Sequence, residues 1–313
     1  MIQHLQNQIE SVFLGKADVV RLCLVCFLSG EHVLLEDIPG VGKTLLAKAL
    51  ARSIQGKFSR IQFTPDLLPA EITGSSILSR FADEEDRDDT KAFQFVPGPI
   101  FANIVLADEI NRATPRTQSA MFEAMGEKSV STDGVTRPLP EPFFVIATQN
   151  PMEFEGTFPL PESQMDRFLM RLSVGYAPRE WELRILESRR ETDPLDEMTP
   201  VLDLTQVRAL QAAARQVLVD ESVANYILDI AEATRTHAEI RVGVSTRGAL
   251  ALYRAVQSNA FIQGRKYASP DDVKELAVAA LSHRILLKNS LRRSSRARTE
   301  ELIADILDTV LSP

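Results

Sequence analysis

Cysteine, tryptophan and long apolar runs are scarce in this chain. Of 313 residues two are cysteine, one is tryptophan and 6% are aromatic. No apolar stretch approaches the roughly 18 residues a membrane-crossing helix requires. The start, MIQHLQNQIE, lacks the basic-then-apolar profile of a secretion signal. The expectation is a soluble, cytoplasmic protein without membrane insertion. The two cysteines, Cys23 and Cys26, stand as CxxC in VVRLCLVCFLSG. At that spacing in an apolar helical pattern both thiols share a buried face, and no second ligand pair accompanies them, so neither redox nor metal chemistry is expected there. Positive charge is also in deficit. The formal net charge is −8, which argues against a general nucleic-acid or anionic-membrane surface. No internal repeat or low-complexity segment breaks the chain.

What is present is a globular composition, 44% hydrophobic and 25% charged, at a length that suits about two domains. From Glu31 to Val174 short apolar runs alternate with helical segments. HVLLED, FSRIQF, NIVLAD, PFFVIATQN and FLMRLSV read as buried strands, with helices such as Lys43–Ile54 and Thr114–Glu127 between them. That alternation predicts an α/β fold with a parallel sheet covered by helices. After GYAPRE the texture changes. Asp203–Val217, Glu221–His237, Thr246–Ile262 and Pro270–Leu287 are amphipathic, rich in Ala and Leu and free of strand-like runs, which predicts a smaller all-α domain. The expected division is 1–175 and 176–313. Two insertions interrupt the first domain: SRFADEEDRDDTKAFQFVPGPI, whose acidic cluster Asp83–Asp89 reads as a solvated loop tip, and KSVSTDGVTRPLP, where DG between β-prone residues reads as a hairpin. The tail RRSSRARTEE reads as a solvent-facing connection to the last helix.

Two motifs carry chemistry. LLEDIPGVGKTLLAKAL is a phosphate loop entering a helix, with Asp37 where the generic GxxxxGK[ST] pattern has its first glycine. Gly40 and Gly42 let backbone N–H groups curl around phosphate, Lys43 places a cation on the β- and γ-phosphates, and Thr44 offers a hydroxyl to Mg²⁺ at the helix amino terminus. Pro39, Val41 and Leu45 complete the candidate nucleotide-binding set. Asp37 sits at the strand exit, where aspartate tolerates a bend and bonds its own local backbone, so the departure from glycine is tolerable. In NIVLADEINRA four largely apolar residues deliver Asp108 and Glu109 to the carboxyl end of a strand, where open α/β sheets bind ligands. Asp108 is the candidate to hold Mg²⁺ through water, and Glu109 to polarise the attacking water. A third strand ends at Asn150, an uncharged group able to orient the same water.

With LLEDIPGVGKTLLAKAL, VLADEINRATPRTQSAMFEAM, ATQNPMEFEGTFPLPESQMDRFLM and STRGALALYRAVQ together, nearly the whole chain resembles the MoxR family of AAA+ ATPases. The resemblance implies an αβα ATPase core with a helical lid, ATP and Mg²⁺ as ligands, and assembly into a homo-oligomeric ring, usually a hexamer. It further implies that Asn150 is sensor 1, Arg167 of MDRF the arginine finger and Arg247 of STRGAL sensor 2. Whether Arg247 serves its own site or a neighbour's is left open, and Arg112 is a second candidate for an inter-subunit contact. The implied task is chaperone-like: maturation of, or metal-cofactor insertion into, a client protein, together with a separately supplied von Willebrand factor A-type domain protein. A chelatase-type motor subunit is the alternative. A nucleic-acid motor and a nucleotide-gated scaffold are more remote.

Overall fold

The structure, a computed structural model, describes residues 1–78, 93–150, 156–188, 193–288 and 296–313. The acidic cluster Asp83–Asp89 lies outside the described residues. Five parallel strands form the central sheet: β1 (His32–Glu36), β2 (Phe58–Gln62), β3 (Ile104–Asp108), β4 (Phe144–Gln149) and β5 (Phe168–Leu172), in the order β2-β3-β4-β1-β5. Each expected strand is found. Their side chains alternate between two cores. Val33, Leu35, Ile104, Leu106, Phe144 and Ile146 join one hydrophobic cluster, and Leu34, Val105, Ala107, Val145 and Ala147 join the other. A strand buried on both faces has no polar side to show, which is why these segments read as continuous apolar runs.

Helices α1 (Ile2–Val12), α2 (Ala17–Ser29) and α3 (Lys43–Ser53) bury their apolar faces in the first cluster, and α4 (Pro115–Glu127) covers the second. Cys23 and Cys26 are buried in α2, as the spacing predicted, and loss of hydration pushes the Cys23 thiol up to about 12. The DG hairpin pairs Ser129–Thr132 with Val135–Pro138, and Asp133 and Gly134 adopt φ of 55° and 74°, the left-handed pair a two-residue turn demands. The arms of the other insertion, Gly74–Leu78 and Phe93–Pro97, also pair antiparallel.

After α5 (Arg179–Ser188) come α6 (Leu204–Ala214), α7 (Glu221–Thr236), α8 (Thr246–Ile262), α9 (Pro270–Leu281) and α10 (Arg296–Thr309). Side-chain caps set their starts. The Asp203 carboxylate accepts the Gln206 N–H at 2.8 Å, Asp220 that of Ser222 at 2.9 Å, and Ser245 that of Gly248 at 3.1 Å. Two expectations need correction. Ile240–Val242 and Leu286–Leu287 form a small antiparallel pair, so this part is not purely helical, and helix α9 ends at Leu281, where the chain turns through Ser282–Arg284 into that pair. The tail, too, enters a helix already at Arg296. Leu252, Val256, Leu276 and Ile303 of this part belong to the same cluster as α2 and β1, so the helical part is packed on the α/β core.

Candidate functional site

The phosphate loop leaves β1 at Glu36 and enters α3 at Lys43. Gly40 and Gly42 have φ of 86° and 89°, a left-handed backbone that favours glycine, and a Cβ on Gly42 would also crowd the Phe13 ring at 3.0 Å. Pro39, Gly40, Gly42, Lys43, Thr44 and Leu45 line a cleft of about 460 Å³ together with Asp108, Glu109 and Asn150. The cleft thus gathers three strand ends, β1, β3 and β4, at the carboxyl edge of the sheet. Lys43 Nζ donates to the Asp37 carbonyl at 2.9 Å. Partial burial pulls its pKa down, while the charges of Asp108, Asp37 and Glu109 work against that shift.

Two expected members of the set turn elsewhere. Asp37 is buried, and its carboxylate faces the far end of β5: Oδ2 accepts from Ser173 Oγ at 2.9 Å, Val174 N at 2.5 Å and Gly175 N at 2.6 Å, and Oδ1 from Ile38 N at 2.9 Å. Burial opposes its charge, but those hydrogen bonds, led by Gly175, outweigh it and hold the carboxyl below its usual range. Its side chain is therefore a staple between phosphate loop and β5, not a wall of the cleft. Val41 packs against the hydrophobic cluster, leaving only its backbone for a ligand.

Asp108 closes β3, and Glu109 follows in a left-handed conformation, φ 57° and ψ 47°, uncommon for a residue with a side chain. Thr148 of β4 fixes that geometry. Its hydroxyl donates to Asp108 Oδ1 at 2.6 Å and accepts the Glu109 N–H at 2.8 Å. Glu109 Oε2 accepts from Gln62 Nε2 at 2.9 Å and from Arg112 Nη1 of the same chain at 3.2 Å. Asn150, directly after β4, is buried and lines the cleft.

Arg167 and Arg247 lie elsewhere. They line a second cavity of about 450 Å³ together with Lys128, Arg215, Arg254 and Arg284. Arg254 is paired with Glu31 at 2.5 Å and Arg284 with Asp166 at 2.8 Å. Among the described residues no carboxylate pairs with Lys128, Arg167, Arg215 or Arg247, and Arg167 Nη1 donates to the Phe122 carbonyl at 2.7 Å. His32 is part of this cavity's lining, buried at the start of β1, with Nε2–H donating to the Met125 carbonyl at 3.3 Å and Nδ1 accepting the Val145 N–H at 3.1 Å. Burial first, then the charges of Lys128 and Arg167, bring its pKa to about 4, so it is neutral at physiological pH. This cavity opens at the amino end of β1 and the phosphate loop at its carboxyl end. Five residues of strand, roughly 16 Å, lie between them.

A family model described as "ATPase family associated with various cellular activities (AAA)" matches residues 32–170, and an AAA lid domain model matches 232–306. Chaperone MoxR1 of Mycobacterium tuberculosis is 38% identical over 98% of this chain and 81% of its own length. The chain belongs to the MoxR family of AAA+ ATPases. Protein YeaC of Bacillus subtilis, named as uncharacterised, is 45% identical over 98% of this chain and 93% of its own. A Cytophaga hutchinsonii protein crystallised as a candidate ATPase is 35% identical, with a TM-score of 0.88 over 100% of this chain and 94% of that one. This MoxR-family protein is thus an ATPase with an α/β core and a helical lid.

Several residues of the MoxR-family site carry no motif signal. Arg60, Lys48, Asp193 and Leu195 line the cleft, and Gln62 and Thr148 bind its acids. The only trace of Arg60, Gln62 and Thr148 in the sequence is polar residues inside strands, RIQ and IATQ. Asp193 and Leu195 arrive from beyond α5. Arg52 of α3 holds them there by donating to the Leu195 carbonyl and, at 2.9 Å, to Asp196.

Proposed function

We propose that this MoxR-family ATPase is a Mg²⁺-dependent motor that works as a ring, usually of six copies, and converts hydrolysis into lid and ring motion against a client protein. The observation that carries the reading is the separation of the two basic elements. Arg167 and Arg247 face a cavity a strand's length from Lys43, farther than an arginine side chain spans, so they suit the nucleotide of an adjacent copy better than their own. An arginine supplied across an interface makes turnover conditional on assembly.

Within one copy, Lys43 neutralises the β- and γ-phosphates and the loop glycines present backbone N–H groups. Thr44 and Asp108 both line the cleft and offer hard oxygen donors, which fits Mg²⁺, a cation usually held by one or two protein oxygens with phosphate and water completing its shell. Bound there, it neutralises charge on the transferring phosphoryl group. Glu109 accepts a proton from the attacking water, and Asn150 orients that water. The left-handed backbone at Glu109 aims its carboxylate, and Thr148 keeps it so.

The division near residue 175 separates the part that binds phosphate from the part that moves. The task is chaperone-like, in keeping with the name of the M. tuberculosis relative: maturation or metal-cofactor insertion, with a von Willebrand factor A-type domain protein as partner, in the cytoplasm. Among the described residues no helix is long and apolar enough to cross a membrane. The test is complementation. Arg167→Ala subunits and Lys43→Ala subunits are each expected to be inactive, and their mixture to regain hydrolysis, because some interfaces then join an intact phosphate loop to an intact arginine. Co-assembled mixtures with no recovery would refute the trans assignment.

A further inference from the structure

Strand β2 lies at the edge of the sheet beside β3. Along it Arg60 and Gln62 project on one face, while Ile61 is buried on the other. Both exposed side chains end on the acids of the cleft. Arg60 donates to Asp108 Oδ2 twice, from Nη2 at 2.6 Å and Nε at 3.2 Å, and from Nη2 to Gln62 Oε1 at 2.8 Å. Gln62 in turn donates to Glu109. Since the other Asp108 oxygen takes the Thr148 hydroxyl, both oxygens have donors. The two donors differ in freedom. Thr148 is fully buried within β4, whereas the Arg60 side chain lines the cleft and is 49% exposed, so water can replace its contacts. A cation that reaches Asp108 from the cleft therefore competes with a guanidinium for Oδ2.

We propose that Arg60 is the resident counter-ion of Asp108, displaced when a metal-nucleotide complex binds, and that it sets how strongly nucleotide affinity depends on the metal. The inference rests on the reading of Lys43, Thr44 and Asp108 as the nucleotide site. Asp108 and Glu109 are adjacent carboxylates at one strand end, and like charges so placed need positive compensation. Arg60 supplies it to Asp108 directly and reaches Glu109 through Gln62. Without its charge the acids draw a divalent cation more strongly, and the same loss removes an attraction for bare phosphate.

The experiment is calorimetric binding of ADP with excess Mg²⁺ and again with EDTA, comparing the ratio of the metal-free Kd to the Mg²⁺ Kd. In Arg60→Gln that ratio is expected to rise about three- to fivefold, the upper scale of a partly exposed ion pair. Gln62→Ala, which breaks the arm to Glu109 but leaves Arg60 on Asp108, is expected to stay within about twofold of the parent, as a lost neutral contact distant from the metal would. An unchanged or reduced ratio in Arg60→Gln overturns the proposal, since Arg60 would then be a passive surface pair or a phosphate ligand. Thermal unfolding without nucleotide reports whether Arg60→Gln folds. If it does not, Arg60→Ala removes the same charge, and a rise of the same size is expected there, with no rise again overturning the idea. Lys43→Ala separates the two layers of inference: ADP binding that survives it overturns the nucleotide-site reading itself, whatever Arg60 does.

Discussion

Replacing Asp37 by alanine tests the staple between the phosphate loop and β5. Four donors lose their acceptor, three of them backbone N–H groups, of Ile38, Val174 and Gly175. The Ser173 hydroxyl can rotate to a new partner, whereas the N–H groups on the buried side cannot. With hydrogen bonds to a charged group worth about 1.5–3 kcal/mol each, and two of them lost in full, Asp37→Ala is expected to cost about 3–6 kcal/mol. At about 2 °C per kcal/mol for a chain of this length, the Tm falls by about 6–12 °C. The pH dependence has a definite sign. Because the folded-state pKa is depressed below the ordinary 3.8, the stabilisation is complete above that value and fades as pH falls through the folded pKa. The Tm gap between parent and variant is therefore constant from about pH 6 to 8 and narrows toward pH 3. Nucleotide binding is expected to persist in the folded variant, since Lys43 is held by the Asp37 carbonyl, which alanine retains. Thermal unfolding across that pH range, with ADP titration at pH 7, is the assay. A Tm within about 2 °C of the parent, or a gap that widens on acidification, would refute the staple.

Glu109→Gln keeps shape but not the carboxylate, so it is expected to bind ATP and hydrolyse it at least about a hundredfold more slowly, and turnover near the parent's would assign the base elsewhere. Native protein is expected to give no reaction of Cys23 or Cys26 with Ellman's reagent at pH 8, and both thiols after denaturation, because burial holds the Cys23 thiol neutral up to about 12. Lys128 adopts φ 52°, where a side chain costs about 1 kcal/mol and glycine little, so Lys128→Gly is expected to leave the Tm unchanged or raise it by up to about 2 °C. A clear fall in Tm would show that Lys128 side-chain contacts hold the adjoining hairpin.

The sheet was legible because a parallel strand buried on both faces cannot hide its apolar run, and the phosphate loop because its chemistry demands contiguous residues. What stayed hidden acts across the fold. Asp37 is visibly not glycine, but its partners Ser173, Val174 and Gly175 lie some 136 residues on, and only the β1–β5 pairing brings them to it. Arg60 and Gln62 matter because β2 pairs with β3 in a register that sets Gln62 opposite Asp108. A one-residue slip would turn both side chains to the other face. Ile240–Val242 was missed because three residues inside helical sequence give too short an alternation to register. The shared cavity of Arg167 and Arg247 is likewise a product of tertiary packing, with α8 packed on α2 and tied through Arg254 to Glu31, just before β1.

Glu36, the last residue of β1, carries a mechanical consequence. Its carboxylate faces Arg171 of β5 at 3.5 Å and Arg296 of α10 at 3.7 Å, both longer than a hydrogen bond, while Arg296 also donates to the Glu36 carbonyl at 3.2 Å. The final helix is thus tethered to the root of the phosphate loop by a joint with slack in its ionic part and a firm pin in its backbone part. A small rotation of the helical part can be absorbed by the slack. A larger one must either pull the pin or drag the loop with it, which makes α10 a lever arm with its fulcrum one residue from Asp37, bypassing the long covalent path through α5 to α9.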